Sequence, residues 1–555
     1  MNKLKDFISY IRGKKSGLNT GRRNFPMKRS TAITITVIFT ISVYFIFLPA
    51  INLHSRETWL FLMAIQFLLI LLAGKTIPGL KTRLIILVGM LGIYLVLNLT
   101  SIELFTAKKY SRVIKIEEGN FTQEIKEPSL DQIPTLDRDS SQKVGSRKMG
   151  ELLDLVSQFD IDDNYSQVNY KDRPVRTTPL RYNGILKYLF NFREGLPGYM
   201  NIDIVNGRAS LVKLKEGIKY SHGDILLRNI RLYARLKYPF EIFNEYVFEI
   251  DENGTPFWII PTYKNRVGFF GAYDVKKVIT INAINGKSTI YPVEKAPKWI
   301  DRVYDSDKII QQLDWAGKYK LGFFNSKLAQ KQVLQTTEGY NYLALNDDIY
   351  LYTGYTSVAG DESNVGFILS NLRTKETKFY PISSAKEVSA MESAEGAVQE
   401  KKYKATFPLL FNIKGQPTYF LSLKDNAGLI KQYAFIDAQD FQRVSVGSNV
   451  QEAYNKHTGQ VENKDNDKGD EEDKGEILEK KARIEDIYSV VIKGNSHYYF
   501  TLEGDTSVYV SAIQVYEKLP FLKKGDHVLV KYRKVNGSQS LTNKVVNMEL
   551  VEEKN

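Results

Sequence analysis

The chain has 555 residues, 43% of them apolar and 25% charged, the proportions of globular protein, so disorder is excluded as its general state. It contains no Cys, which removes disulfide frameworks, thiolate zinc sites, iron–sulfur clusters and Cys nucleophiles together. The net charge of +13 points to nucleic acid only until it is located. Residues 1–30 hold nine bases (Lys3, Lys5, Arg12, Lys14, Lys15, Arg22, Arg23, Lys28 and Arg29) against one acid, Asp6, so this tail alone supplies +8.

The basic tail runs into three uncharged or nearly uncharged stretches, Thr31–Ile51, Thr58–Gly74 and Leu84–Leu104. A bilayer core needs roughly 20 apolar residues in a helix, so all three are expected to span, with the second near the short limit. The first connector, Asn52–Glu57, is charge-balanced, whereas Lys75–Arg83 carries Lys75, Lys81 and Arg83. Basic segments stay on the cytoplasmic side, which predicts N-terminus inside and residues 106–555 outside the cell membrane. Around Arg22 the sequence Gly-Arg-Arg-Asn-Phe-Pro-Met-Lys resembles a twin-arginine export signal, although Pro26 departs from that pattern and no small-residue cleavage site follows. Either reading exports the large portion. A Cys-free exported domain rich in Lys, Asn and Ile fits a Gram-positive bacterium.

Residues 106–144 are polar and mixed, with Pro128 and Pro134, and read as a stalk. A short amphipathic helix is expected at Met149–Phe159. Beyond it an internal echo sets the organisation. Ile202–Leu214 reads IDIVNGRASLVKL and Ile281–Val293 reads INAINGKSTIYPV. Each places Asn-Gly between β-forming runs, which predicts a hairpin with a type I′ turn. Phe367–Ile382 and Tyr433–Val446 repeat the shape with other turn residues. From the second echo onward, a strand pair precedes each hairpin (Tyr246–Tyr263, Tyr340–Tyr355, Leu409–Leu423). A helix is expected after each, at Ser306–Trp315, Ser384–Ala394 and Ser448–Lys456, with Ser306 and Ser448 as N-caps and Gly317 and Gly459 as C-caps. The pattern divides the chain into modules at 145–245, 246–335, 336–400 and 401–460. The Ile-Asn-Ala-Ile-Asn-Gly-Lys strand and turn resembles PepSY modules, small sheet-plus-helix units of exported bacterial proteins. That resemblance implies a role in inhibiting or regulating peptidases. The whole chain resembles bacterial, Gram-positive-like multi-pass envelope proteins, from which no activity carries over.

Residues 461–481 interleave acids with Lys and almost no apolar residue, and read as a flexible acidic linker rather than a metal trap. After it, strands are expected at Ile484–Lys493, Ser496–Leu502, Ser507–Ile513, His527–Val535 and Leu541–Leu550, with a short helix at Gln514–Leu522. Over 482–555 this resembles an OB-fold barrel of five strands. The fold class expected for the chain is α+β: a three-helix anchor, tandem sheet-plus-helix modules and a terminal five-stranded β-barrel.

Catalytic and metal signatures are not legible. His54, His222, His457, His497 and His527 lack metal-ligand spacing, Gly74-Lys75-Thr76 lacks the rest of a phosphate loop, and Asp160-Ile-Asp-Asp-Asn lacks the Gly and terminal Glu of a calcium loop. No cofactor is expected. A hidden carboxylate pair contributed by distant segments stays open.

Candidate binding residues are of two kinds. In Asp224–Lys237, Leu226, Ile230, Tyr233 and Leu236 share one helical face and Arg228, Arg231 and Arg235 the other, a row of guanidinium groups able to hold phosphates of an anionic cell-wall polymer or lipid head groups. A solvated face is the commoner use of such a row. Aromatic residues crowd two hairpins, Trp258, Tyr263, Phe269, Phe270 and Tyr273 in one and Tyr340, Tyr342, Tyr350, Tyr352 and Tyr355 in the other. They could stack on glycan rings but more often pack a core. Tyr499 and Tyr509 sit where OB-folds bind ligands. The expectation is a non-enzymatic envelope scaffold that contacts the lipid bilayer and another envelope protein. Regulation of an envelope peptidase, or action on envelope glycan or teichoic acid, are the alternatives; no nucleic acid is expected.

Overall fold

The structure, a computed structural model, describes residues 29–73, 79–345, 347–358, 363–460, 477–492, 495–513, 515–516, 518–533 and 542–551. The basic tail up to residue 28, and the acidic linker over 461–476, lie outside the described residues. The chain divides into two compact units, Met1–Gly459 and Gln460–Asn555.

The first unit opens with three apolar helices, α1 (Arg29–Phe47), α2 (Arg56–Ala73) and α3 (Leu80–Leu99), followed by the short α4 (Glu103–Tyr110). By length and composition α3 is able to cross a membrane, while α1 holds a shorter apolar run, Ile33–Phe47. Their large apolar side chains face outward: Ile46 is 72% exposed and Ile85 71%. The connector between α1 and α2 and the end of α3 both bond to the folded body. Ile51 N donates to Pro239 O (2.7 Å), Asn52 Nδ2 to Phe240 O (2.9 Å) and Phe270 N to Ser101 Oγ (3.0 Å). Lys81 and Arg83 sit at the opposite end of α3 from these contacts.

The body consists of antiparallel sheets built on one repeated plan. A first strand, broken in two in three of the four sheets, pairs along a long second strand; a hairpin adds the third and fourth. The first sheet has Phe159–Ile161 and Ser166–Tyr170 along Arg173–Tyr182, then Leu196–Asp203 and Arg208–Ile218. The second orders Val247–Ile250, Pro256–Val267, Gly271–Asn282 and Ser288–Pro292. The third has Leu334–Thr336 and Asn341–Leu345 along Asp348–Ser357, then Gly366–Asn371 and Thr377–Tyr380. The fourth has Lys404–Ala405 and Leu409–Ile413 along Gln416–Lys424, then Ile430–Asp437 and Val444–Gly447. A helix follows each sheet: Ile230–Lys237, Ser306–Lys318, Glu387–Gly396 and Val450–Thr458.

All four sequence echoes form the third-to-fourth-strand hairpin, and one device closes them. Asp203, Asn282, Asn371 and Asp437 each use Oδ1 to accept the backbone N–H groups two and three residues on, at 2.8–3.2 Å. The expected two-residue type I′ turn is not what forms. Asp203 pairs with Arg208 and Asn282 N donates to Lys287 O, so each loop has four residues and Gly207 (φ 68°) or Gly286 (φ 74°) takes the left-handed last position. The Asx side chain one strand-end earlier outbids the Asn-Gly pair. Turns with two successive positive φ values occur instead between first and second strands, at Lys171-Asp172 and Lys414-Gly415.

Strand alternation feeds two cores from each central sheet. Trp258, Ile260 and Ile281 enter the core shared with the first sheet, while Ile259 and Val278 enter the core shared with the third. Ile349, Leu351 and Ile368 join that second core, whereas Tyr352, Phe367 and Leu369 enter a core shared with the fourth sheet. Sheets buried on both faces explain the unbroken apolar runs in their sequences. The fourth sheet is tied back to the first by the segment before it: Ser422 Oγ donates to Thr135 O (2.7 Å), Lys143 Nζ to Ala427 O (2.7 Å), and Lys424 pairs with Asp137 at 2.5 Å.

Residues 106–144, expected as a stalk, are part of this packing. Phe121, Ile125, Ile133 and Leu136 are buried, and Glu117–Glu118 pairs in parallel with Thr377–Tyr380. The polar composition misled because the buried residues are spaced by turns, without a helical or strand period. The helix expected at Met149–Phe159 lies earlier, at Arg138–Gly150, capped by Asp137 Oδ1 on Ser140 N. Two other helices start one residue away from the expected caps, with Asp305 accepting from Lys308 N and Asn449 from Glu452 N. Gly459 ends its helix in the left-handed conformation as expected. Gly317 lies inside its helix, where a Cβ would come within 2.3 Å of Leu334 O.

The second unit is a closed five-stranded barrel. Ile477–Ile492, Asn495–Leu502, Val508–Ala512, Thr542–Leu550 and His527–Arg533 follow one another around it, and the first strand closes on the last. The first strand starts at Ile477, inside the segment expected as linker. Its residues 477–483 pair with His527–Arg533 and 484–492 with Asn495–Leu502, so one bent strand serves both neighbours. Between the third strand and His527–Arg533, where a helix was expected over Gln514–Leu522, the described residues form a 3₁₀ turn at Leu519–Phe521, and residues 514 and 517 lie outside the described residues.

Candidate functional site

The three arginines expected to form a row are separated by the fold. Asn229 ends a 3₁₀ turn, Leu226–Arg228, and caps the helix Ile230–Lys237 by accepting from Arg231 N and Leu232 N. That break puts Arg228 out of phase with Arg231 and Arg235. Arg231 is exposed, while Arg228 is half-buried and donates to Phe192 O. Arg235 is buried and fully engaged. Its Nε donates to Leu48 O (2.9 Å), Nη1 to Glu241 O (2.6 Å) and Nη2 to Phe243 O (3.0 Å), while its guanidinium lies 3.9 Å from the Phe243 ring centre. It is the fastener between α1 and the second sheet. Leu226, expected on the buried face, is 73% exposed because it precedes the helix.

The barrel tyrosines face opposite sides. Phe500 pairs with Tyr509, and Tyr499 with Val510, so Tyr509 points inward and Tyr499 outward. Tyr509 is buried, stacks on Phe500 at 5.6 Å and donates to Asp505 Oδ2 at 2.6 Å. Lys480 pairs with the same carboxylate, and these donors hold Asp505 well below the usual carboxylate range. Tyr499 is half-buried beside its cross-strand partner Tyr488, which is exposed. Tyr509 is therefore core, and Tyr499 with Tyr488 is the outward aromatic pair.

The aromatic clusters are likewise mostly core. Trp258, Tyr263, Phe270, Tyr352 and Tyr355 are buried, and Trp258 Nε1 donates to Tyr220 O at 2.7 Å. Rings of this size bury roughly 150–250 Å² each, about 4–6 kcal/mol of gross transfer energy. Tyr340 and Tyr342 spend their hydroxyls on Asp307 and Ser306, at the start of the helix Ser306–Lys318.

Sequence reasoning missed a polar network where the sheets meet. Glu249, fully buried on the second sheet, accepts Asp301 N at Oε2 (3.0 Å) and Arg302 N at Oε1 (2.9 Å). Asp301, also buried, accepts Asn169 N from the first sheet at Oδ2 (2.7 Å). Asn169 Nδ2 reaches Asp347 of the third sheet (2.9 Å), and Arg302 stacks on Tyr342 at 5.3 Å. Asp348 receives Arg373 in a bidentate pair at 2.6 and 2.7 Å. Burial pushes Glu249 up to about 7 against the pull of its N–H donors and of Arg302. Burial and the Glu249 charge push Asp301 well above the carboxylate range. Nearby, Arg176 is buried with only neutral partners, Gln167 Oε1 (3.0 Å) and Ser141 Oγ (3.3 Å), and desolvation lowers it to about 10. The acids bond to backbone N–H groups of neighbouring segments, so their chemistry is that of a clasp between sheets. Among the described residues no group of His or acidic side chains could hold a metal ion.

No family model and no curated protein matches the chain. Two crystal structures of B. megaterium levansucrase mutants are similar at 10% identity, each with a TM-score of 0.17. They cover 80% and 77% of this chain and 97% of their own, and a likeness that weak carries no argument about fold or activity.

Proposed function

We propose that the chain is a membrane-anchored, extracytoplasmic binding and scaffold protein of a bacterial cell envelope, without catalysis of its own. The observation that carries this reading is the junction between helices and body. Among the described residues, three apolar helices with outward apolar side chains bond at one end to a multi-sheet platform, through Arg235, Pro239, Phe240, Phe269 and Phe270. Such an arrangement suits helices solvated by lipid, with α1 to α3 as three spans and the body on the side away from Lys81 and Arg83.

On this reading the tandem sheets, PepSY-like in plan, and the terminal barrel, OB-like in strand order, present surfaces to another envelope protein. Arg231, exposed, and Arg228, half-buried beside Phe192, are the cations of the expected row that an anionic cell-wall polymer would meet, and Tyr488 with Tyr499 is the aromatic pair available on the barrel. The buried acids serve as a clasp, which supports binding over catalysis. Regulation of an envelope peptidase through the repeated sheet-and-helix units is the second reading. Crosslinking in intact cells followed by mass spectrometry tests both. The expected result is repeated recovery of one envelope protein, and a peptidase in that place favours the regulator. Recovery of no protein above the level of a chain lacking residues 106–555 contradicts the scaffold reading.

A further inference from the structure

The helix Ser306–Lys318 ends beside the point where α3 runs out of its apolar stretch. Glu103, at the start of α4, accepts Trp315 Nε1 at Oε1 (3.2 Å) and the Tyr319 hydroxyl at Oε2. Tyr319 and Phe323 then join Ala107 and Tyr110 of α4, with Val267 and Ala272 of the second sheet, in a small core. The chain leaves that core in one π turn, Asn325–Ala329, which Gln330 ends in the left-handed conformation (φ 51°). With Tyr319 and Phe323 held inward, Leu321, Phe324 and Leu328, spaced three and four apart, are left outside, Phe324 at 67% and Leu328 at 80% exposure. On the other side of the Glu103 contact the apolar surface of α3 continues through Ile102 to Phe105, which is 73% exposed.

Exposed apolar side chains clustered in this way mark an interaction surface. The charges around them are of one sign. Residues 318–331 contain four Lys and no acid. Residues 102–112 contain Lys108, Lys109 and Arg112 against a single acid, Glu103, which is occupied by Trp315 and Tyr319. Lys318 pairs with Asp314 (3.2 Å); among the described residues no ion pair takes up Lys108, Lys109, Lys320, Lys327 or Lys331. All five of those lysines are exposed. Large apolar side chains flanked by lysines, next to the end of a helix able to cross a bilayer, have the make-up of an interfacial segment. In such a segment rings and Leu enter the acyl boundary while Lys stems reach back to head-group phosphates.

We propose that the turn 321–331 and the first residues of α4 seat the body on the anionic lipid surface around α3, with Phe105, Phe324 and Leu328 in the acyl boundary and the five lysines on head-group phosphates. The proposal rests on the membrane reading of α3 and adds to it a second contact that does not span; it holds for either side of the bilayer. One-signed charge beside a spanning helix selects a lipid surface over a protein partner as the occupant. The spans fix where the body is tethered, and this seat fixes its tilt.

Because the chain contains no Cys, one introduced Cys carries a label unambiguously. Leu328→Cys and, as a reference within α3, Ile93→Cys are each labelled with a fluorophore in the full chain. The labelled chains are reconstituted into vesicles of phosphatidylcholine, with or without phosphatidylglycerol, that contain lipids spin-labelled near the head group or deep in the acyl chain. The label at 328 is expected to be quenched by the shallow probe, about twofold more strongly with phosphatidylglycerol present. Lys320→Glu combined with Lys327→Glu and Lys331→Glu is expected to abolish that excess at unchanged melting temperature. A label at 328 that no lipid quenches, whether it faces water or a second copy of the chain, overturns the seat; the label at 93, quenched by the deep probe, then leaves the spans standing. Equal quenching at 328 with and without phosphatidylglycerol overturns the part given to the lysines. A label at 93 that no lipid quenches overturns both seat and spans.

Discussion

Replacement of Arg235 by Leu is expected to destabilise the body by about 3 kcal/mol or more and to free α1 from it. One guanidinium satisfies three carbonyl oxygens, at Leu48 on one stretch of chain and at Glu241 and Phe243 on another. Leu would leave those oxygens in a buried pocket without donors and would forfeit the contact with the Phe243 ring. Burial already opposes the charge here and lowers the Arg235 pKa, so the side chain persists only because its donors are used. Arg235→Lys keeps the charge but not the fork, and an intermediate loss is expected. Thermal unfolding together with limited proteolysis near residues 48–55 measures both effects. Melting and cleavage like wild type in Arg235→Leu would show that the fastener is idle.

The second large effect is a pH dependence carried by Glu249 and Asp301. In the folded chain burial makes this pair hold on to protons that unfolded carboxyls release above about pH 4. The folded state therefore binds more protons than the unfolded one through neutral pH, and stability from this pair falls as pH rises. The window opens near pH 4 and extends to about 7 for Glu249 and beyond it for Asp301. Asp301→Asn keeps an acceptor for Asn169 N and removes the ionisable group. Between pH 5 and 8 the variant is expected to gain on wild type by about 1.4 kcal/mol per pH unit while one proton is at stake. Denaturant melts across that range measure it; parallel curves for the two proteins would contradict the linkage.

What the sequence displayed and what it hid follow from the range of each interaction. Hairpins were legible because the turn residues and their flanking β runs lie within about a dozen positions, and all four echoes became the same hairpin. Their turn type was misread because Asp203 and Asn282, outside the Asn-Gly pair, close the loop. The barrel's strands were legible for the same local reason. Its first strand was cut short because Glu479, Lys480 and Lys481 resemble the linker before them, yet they pair along His527–Arg533. Half-strands of two or three residues, such as Leu334–Thr336 and Lys404–Ala405, have no period to detect. The arginine row failed on a single residue, Asn229, whose capping preference breaks the helix that the spacing assumed. The polar network joins Asn169, Glu249, Asp301 and Asp347, partners separated by tens of residues, and only folding brings them together. Glu249 within an otherwise apolar strand, Val247–Ile250, was the one local sign: a carboxylate in that position must find donors.

On the proposed reading, residues 106–555 lie outside the cell membrane, held there by the apolar helices. Protease added to wall-stripped intact cells tests this directly, with an antibody to the C-terminal barrel reporting the fragment. Cleavage without permeabilisation, leaving a protected fragment that contains α1 to α3, is the predicted outcome. A chain that stays whole until the membrane is permeabilised would contradict it.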